Sequence, residues 1–126
     1  MDIARRGFVA GAAAMAAAGG AAAQEKTGMY GLIGKMLAKP GKRDELIGAL
    51  LAGTGSMPGC LSYVVAHDPT NADAIWITEV WDSQASHQAS LKLPAVQQAI
   101  AKARPIIAGF GERFETEPVG GVGLPA

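Results

Sequence analysis

The sequence predicts one α+β domain, because segments with helical periodicity and segments with strand character alternate along a short chain. Segment 43–54 repeats apolar residues at intervals of three and four, as one face of a helix does. Segments 60–67 and 74–81 are rich in β-branched and aromatic residues and are bounded by Gly and Pro turns. A chain of 126 residues has the length of a single domain.

Apolar spacing, together with the turn residues between segments, predicts the helices and strands along the chain. We predict a strand at 29–38, a helix at 43–54, and strands at 60–67 and 74–81. A helical segment capped by Asp82 or Ser83 then runs to about Leu91, and a further helix begins at Pro94 and is ended or kinked by Pro105. The last strand is predicted at 110–117, with Phe110 and Phe114 on one face. The order β-α-β-β-α-β is ferredoxin-like and predicts a four-stranded antiparallel sheet with its helices on one face.

Both faces of the predicted sheet are apolar. In strand 74–81 the residues Trp76 and Val80 point one way, while Ile77 and Trp81 point the other. Helices can cover only one of these faces, and large bare apolar patches are rare on monomers. We therefore expect a second copy of the chain to cover the other face in a homodimer.

The N-terminal segment 1–23 has the three parts of a secretory signal. Arg5-Arg6 precedes an uncharged stretch rich in Ala and Gly, which ends on Ala21-Ala22-Ala23. The arginine pair is typical of the twin-arginine route. We expect segment 1–23 to be removed, 24–28 to be a linker, 29–118 to be the domain and 119–126 to be a flexible tail. The alternative is a membrane anchor, but the stretch is short and glycine-rich. We therefore expect a periplasmic or secreted protein without a stable membrane span after cleavage.

Charge and cysteine content exclude several classes of function. Eleven basic and eleven acidic residues give a formal net charge of zero, which argues against a nucleic-acid partner. Cys60 is the single cysteine, so the chain has no internal disulfide. His67 and His87 are twenty residues apart and form no zinc-ligand pattern, so we expect no metal.

Four motifs in order resemble the antibiotic biosynthesis monooxygenase family, whose small bacterial members are regarded as quinol monooxygenases. They are Lys39-Pro40-Gly41-Lys42 before the first helix, Pro58-Gly59-Cys60-Leu61 into the second strand, Glu79-Val80-Trp81-Asp82-Ser83, and Arg104-Pro105 before the last strand. The resemblance implies a dimeric α+β barrel with a pocket between sheet and helices. It also implies oxygenation of a quinol or polyphenol without a cofactor, through a substrate anion that reacts with O₂.

The sequence departs from this family at two positions. Many relatives carry one His after the Trp-x-Ser motif and another after a Ser-Pro pair, where this chain has Ser90 and Ala95. His87 lies about one helical turn before Ser90 and can occupy the same face. The haem-degrading branch carries an Asn in its first strand, which this chain lacks, so haem degradation is not expected.

Glu79 and His87 are the candidate catalytic residues. A carboxylate between apolar neighbours suits a general acid or base, although an ion pair with Lys35 or Arg113 is an equally simple explanation of Glu79. His87 is a candidate proton acceptor. The candidate substrate-binding residues are Trp81, Tyr63, His67 and Trp76, each with a purely structural alternative in packing or local hydrogen bonding.

Three functions remain open from the sequence. The first is a cofactor-free monooxygenase that acts on a small quinol-like aromatic in the cell envelope. The second is a dimer that binds such a molecule without converting it. The third is an isomerase on the same fold, and fold alone does not choose among them.

Overall fold

A computed structural model describes residues 28–125, and the predicted signal segment therefore lies outside the described residues. The elements are β1 (Tyr30–Ala38), α1 (Arg43–Gly53), β2 (Cys60–His67), β3 (Ala74–Trp81), α2 (Gln84–Ser90), α3 (Pro94–Ala103), a short 3₁₀ turn (Arg104–Ile106) and β4 (Ile107–Thr116). No helix among them combines the length and the apolar character needed to cross a membrane. The α+β, ferredoxin-like prediction is confirmed.

The four strands form one antiparallel sheet in the order β2-β3-β1-β4. The first strand, β1, therefore lies inside the sheet, between β3 and the last strand β4. Tyr30 pairs with Trp81 and Leu32 with Glu79, so the end of β1 that begins the domain lies beside the end of β3. This register brings the Glu79 motif next to residues some fifty positions earlier in the chain.

The helices cover one face of the sheet, which we call the inner face. Leu46 and Leu50 of α1 and Ala103 of α3 pack on Ile75 and Ile77 of β3. Leu46 and Ile75 are fully buried, so burial of α1 against β3 is a main source of stability. Gly53 permits close contact of α1 with α3, because a side chain there would overlap Ala99. The inner face is therefore the hydrophobic core.

The local signals at helix and strand ends act as predicted. Ser83 caps α2, since its Oγ accepts a hydrogen bond from the Ser86 backbone N–H at 3.1 Å. Pro94 occupies the first turn of α3, where its missing N–H costs nothing. The proline at 105 lies in the 3₁₀ turn that follows α3, and β4 begins directly after it. The last strand thus begins three residues before the predicted position 110.

The prediction that Phe110 and Phe114 share a face is wrong. Phe110 pairs with Met36 on the inner face, whereas Phe114 pairs with Ile33 on the opposite face. The register shifts between Gly34 and Met36. These two residues are two positions apart on β1, whereas their partners Arg113 and Phe110 are three positions apart on β4. Such a bulge adds one residue to a strand and reverses the alternation beyond it.

The opposite face, here called the outer face, carries no helix among the described residues. Val64 and Phe114 lie on it at 52% and 53% exposure. Lys35 and Trp76 also lie on it, close to the turn that links β2 to β3. The apolar character predicted for this face is therefore present in the folded domain.

Candidate functional site

Glu79 projects from β3 onto the inner face between Leu32 of β1 and Tyr63 of β2. Its side chain is only 17% exposed. The Trp81 Nε1–H donates a hydrogen bond of 2.9 Å to Glu79 Oε1. Because residues two apart on a strand point the same way, this bond follows directly from the Glu-x-Trp spacing. The carboxylate is thus held in place by a ring that is itself fully buried.

His87 reaches the same carboxylate from α2. Its Nε2 lies 4.0 Å from Glu79 Oε1, which is ion-pair range but longer than a hydrogen bond. The imidazole packs edge-on against Trp81 and is tilted against Tyr30, with ring centroids 5.4 Å apart in each pair. The cap at Ser83 fixes where α2 begins and so directs His87 towards the sheet. The two candidate catalytic residues are therefore brought together.

Tyr63 and Cys60 lie on the β2 side of this cluster. Burial, together with the negative charge of Glu79, raises the pKa of the Tyr63 phenol well above its ordinary value of 10.0. Burial also raises the pKa of the Cys60 thiol, which donates to the Ser62 carbonyl at 3.6 Å. Tyr63 is consequently a neutral hydrogen-bond donor, and Cys60 is a neutral thiol rather than a nucleophilic thiolate.

An apolar chamber of about 390 Å³ opens beside Glu79 on the inner face. Its floor is Gly34, and Ile77 and Arg113 lie on either side of that glycine in the sheet. Arg113 adds a cation to the wall and pairs with Glu115 at 3.8 Å. A small organic molecule in this chamber would meet apolar surface together with Glu79 and Arg113, and Lys35 and Glu112 also belong to the lining.

A second apolar cavity of about 520 Å³ adjoins the chamber, with Met36 and Phe110 in the walls of both. Leu50 of α1 and Ile100 of α3 close its helix side, and Arg104 also lines it. Phe110 is 70% exposed, which leaves an aromatic surface available where the two cavities meet. Both volumes fall in the range of small-molecule pockets, about 300–1,000 Å³.

The suggested ion pairs of Glu79 are not formed. Lys35 lies on the outer face, 3.4 Å from Asp68, and Arg113 pairs with Glu115 instead. Among the described residues, Glu79 instead accepts a hydrogen bond from Trp81 and lies within ion-pair range of His87.

Two of the predicted substrate-binding residues lie away from this cluster. Trp76 is on the outer face, where its Nε1–H donates to Asp68 at 3.1 Å. His67 is exposed at the end of β2, and its Nε2 lies 4.0 Å from Asp44 of α1. Tyr63 and Trp81 do line the cluster, so the structure brings together four of the six residues selected from the sequence.

The two positions where relatives carry His have local structural roles here. Ser90 is buried, and its hydroxyl donates to the His87 backbone carbonyl at 2.6 Å. Ala95 is exposed on α3, beside Gly53 of α1. Neither position holds a titratable group, and His87 is the histidine that faces Glu79.

Sequence reasoning missed Gly34, Arg113 and Tyr30. Gly34 and Arg113 face each other only through the pairing of the first and last strands. The Tyr30 ring packs at a tilt against His87, and its hydroxyl donates a hydrogen bond to Glu115. The available signal was the glycine itself, since glycine inside a strand often marks a bulge or a close approach by a ligand. Within residues 28–125 no group of three or more His, Cys, Asp or Glu side chains is placed to hold a metal ion.

Comparisons with known proteins agree with the fold of this chain. The family model "Antibiotic biosynthesis monooxygenase" matches residues 29–102. A proposed antibiotic biosynthesis monooxygenase from Chloroflexus aurantiacus is 69% identical, with 74% of this chain and 95% of that chain covered and a TM-score of 0.73. Two others share the fold at lower identity. The protein from Caulobacter crescentus is 21% identical (75% and 92% covered, TM-score 0.67), and the one from Nitrosomonas europaea is 14% identical (78% and 94% covered, TM-score 0.64). The comparison with curated proteins finds no match. The chain belongs to the antibiotic biosynthesis monooxygenase family.

Proposed function

We propose that this chain is a cofactor-independent monooxygenase that acts on a hydroxylated aromatic of the quinol or polyphenol class. The observation that carries the proposal is the position of Glu79. Its carboxylate has a fixed orientation, lies 4.0 Å from the imidazole of His87 and lines an apolar chamber of about 390 Å³. A carboxylate and an imidazole beside an apolar chamber are what proton removal from a buried hydroxyl requires.

In the proposed reaction the substrate hydroxyl lies in the chamber and Glu79 accepts its proton. His87, beside the same carboxylate oxygen, takes the proton onward. The Arg113 guanidinium lines the chamber and is a donor available to the developing oxyanion. The neutral Tyr63 hydroxyl belongs to the strand position next to Glu79 and does not line the chamber itself. For a simple quinol the balance is quinol plus O₂ to hydroxyquinone plus water. A new C–O bond forms, the O–O bond breaks, and the substrate supplies all four electrons.

The test is oxygen uptake by the purified domain with a panel of hydroquinones, naphthohydroquinones and polyphenols. With ¹⁸O₂, mass spectrometry should find one labelled atom in the product and the other in water. Uptake should fall by about 10²-fold or more in Glu79→Gln, as expected for loss of a general base. Substrate binding without uptake would instead support the non-catalytic dimer, and conversion without uptake would support the isomerase.

We also propose that a second copy covers the outer face. Val64 and Phe114 are exposed apolar residues on that face, and its charges, Lys35 and Asp68, neutralise each other at 3.4 Å. A face of this kind can meet its own copy about a two-fold axis without leaving an unpaired charge buried. Sedimentation equilibrium gives the oligomeric state, and a monomer at high micromolar concentration would contradict the proposal.

Action in the cell envelope is a further part of the proposal, and it is supported by Arg5-Arg6 and the uncharged segment that follows. Expression of the full chain with an epitope at its C-terminus should deliver a shortened protein to the periplasmic fraction. Arg5→Lys combined with Arg6→Lys should retain it in the cytoplasm. Equal export of both forms would contradict a twin-arginine signal.

A further inference from the structure

The chamber beside Glu79 exists because position 34 has no side chain. Gly34 lies on the inner face of the central strand, between Ile77 of β3 and Arg113 of β4. A methyl group added at its Cα would have no neighbour within 4 Å. The space above Gly34 is therefore open and belongs to the chamber that Glu79 lines.

The fold does not require glycine at this position. Gly34 is not among the glycines with positive φ, so its backbone conformation is open to any residue. Two other strand glycines differ in this respect: a side chain at Gly31 would overlap Thr116, and one at Gly111 would lie 2.9 Å from Lys35. Glycine inside a strand costs stability, because the free chain loses more freedom and no side chain packs. Gly34 thus weakens the strand without serving packing or backbone geometry.

The chamber walls indicate how a ligand would use this space. Glu79 stands on one side of Gly34, and Met36 and Phe110 lead on the other side into the larger cavity. Phe110 offers an exposed ring, and the pairing of two aromatic rings is favourable beyond simple area burial. A flat ring system placed on the backbone of Gly34 would have one edge at Glu79 and the other at Phe110.

We propose that Gly34 is the specificity-determining residue of this site, and that it admits a hydroxylated aromatic of at least two fused rings lying flat on β1. This inference rests on the proposed function for the direction of the hydroxyl group, which faces Glu79. The selection for ring number follows from the space at Gly34 and from its continuity with the cavity behind Met36 and Phe110.

Binding of phenol and of 2-naphthol under argon tests the inference without any turnover. Isothermal titration calorimetry would compare the wild-type domain with Gly34→Ala, Gly34→Val and Gly34→Leu. We expect affinity for 2-naphthol to fall stepwise with side-chain size and by tenfold or more in Gly34→Val. Phenol should lose less than threefold in the same variant, because a single ring can shift away from residue 34.

Gly48→Val is the matched control. Gly48 is an exposed glycine of α1 whose added methyl group would also meet no atom within 4 Å, and it lines neither the chamber nor the larger cavity. This variant should keep both affinities within twofold. Gly34→Val should melt at the same temperature as the wild type or higher, since valine suits a strand better than glycine does.

Three results would overturn the inference. One is 2-naphthol affinity that is unchanged in Gly34→Leu, and another is a wild-type domain that does not bind 2-naphthol at millimolar concentration. The third is a parallel loss of both affinities and of melting temperature in Gly34→Val, which would give Gly34 a structural role. Binding that depends on residue 34, in a protein that consumes no O₂, would refute the oxygenase proposal and leave the inference standing.

Discussion

Asp68 and Glu79 are carboxylates on opposite faces of the sheet, and their surroundings are opposite in character. Asp68 belongs to the outer face, where Thr70, Trp76 and Lys35 all donate to it. Glu79 belongs to the inner face, where Trp81 donates to one oxygen and an apolar chamber adjoins. Asp68 therefore uses its hydrogen-bonding capacity to hold the β2–β3 turn, while Glu79 keeps capacity for a ligand. This contrast distinguishes the structural carboxylate from the proposed catalytic one.

The largest expected effect is a loss of stability, and it tests whether the inner face is the hydrophobic core. Ile75→Ala removes a fully buried side chain that packs on α1, so it should lower the free energy of unfolding by about 2–5 kcal/mol. Urea denaturation measures this loss. Leu51→Ala is the control, because Leu51 is 51% exposed on α1 and its removal should cost about 0.5 kcal/mol or less. Similar costs for the two variants would contradict the assignment of the core.

The next largest effect is a loss of dimer affinity, and it tests whether two copies of the chain meet through their outer faces. Val64→Glu places a charge on the proposed interface and should raise the dimer dissociation constant at least about 30-fold, equivalent to about 2 kcal/mol. Analytical ultracentrifugation measures this, and circular dichroism should show an intact fold. Leu91→Glu puts the same charge at an exposed apolar residue directly after α2 and should leave the oligomeric state unchanged. A Val64→Glu protein as dimeric as the wild type would argue against this interface.

Much of the fold could be predicted from the sequence, but less of the site. The bounds of β2 and β3 match to the residue, because apolar alternation ends at a clear turn on both sides. The bulge in β4 left no pattern in the sequence, so the face of Phe110 was misjudged. Glu79 and Trp81 share a face by simple alternation, whereas the chamber depends on Gly34 meeting Arg113 across strands at opposite ends of the domain. Contacts between distant strands need the register, which local patterns do not contain.

A third effect concerns the acid stability that Asp68 confers. Hydrogen bonds from Thr70, then from Trp76 and Lys35, hold the pKa of the Asp68 carboxyl well below its ordinary value of 3.8. A lowered folded-state pKa stabilises the fold above the unfolded value, and this stability is lost as pH falls below about 3.8 towards the folded value. Asp68→Asn should therefore be less stable at neutral pH and should lose less stability on acidification. Thermal melts between pH 2 and pH 7 would show this, and parallel curves for both proteins would contradict it.

The smallest expected effect concerns the placement of His87. Ser83→Ala removes the cap of α2 and should cost about 1 kcal/mol of stability. Because α2 carries His87, the variant should also show weaker catalysis with little change in substrate binding. Ser56→Ala, at an exposed position in the loop before β2, is a control that should change neither property. Full activity of Ser83→Ala, despite lower stability, would mean that the cap does not position the imidazole.

The most direct test of the account compares the two carboxylates in one assay. Oxygen uptake with the best hydroxyarene of the panel would be measured for Glu79→Gln and for Asp68→Asn, both held well below their melting temperatures. We expect Glu79→Gln to lose about 10²-fold or more in kcat and Asp68→Asn to stay within about twofold of the wild type. Equal losses in the two variants, or full activity of Glu79→Gln, would contradict the assignment of the inner-face carboxylate as the catalytic base.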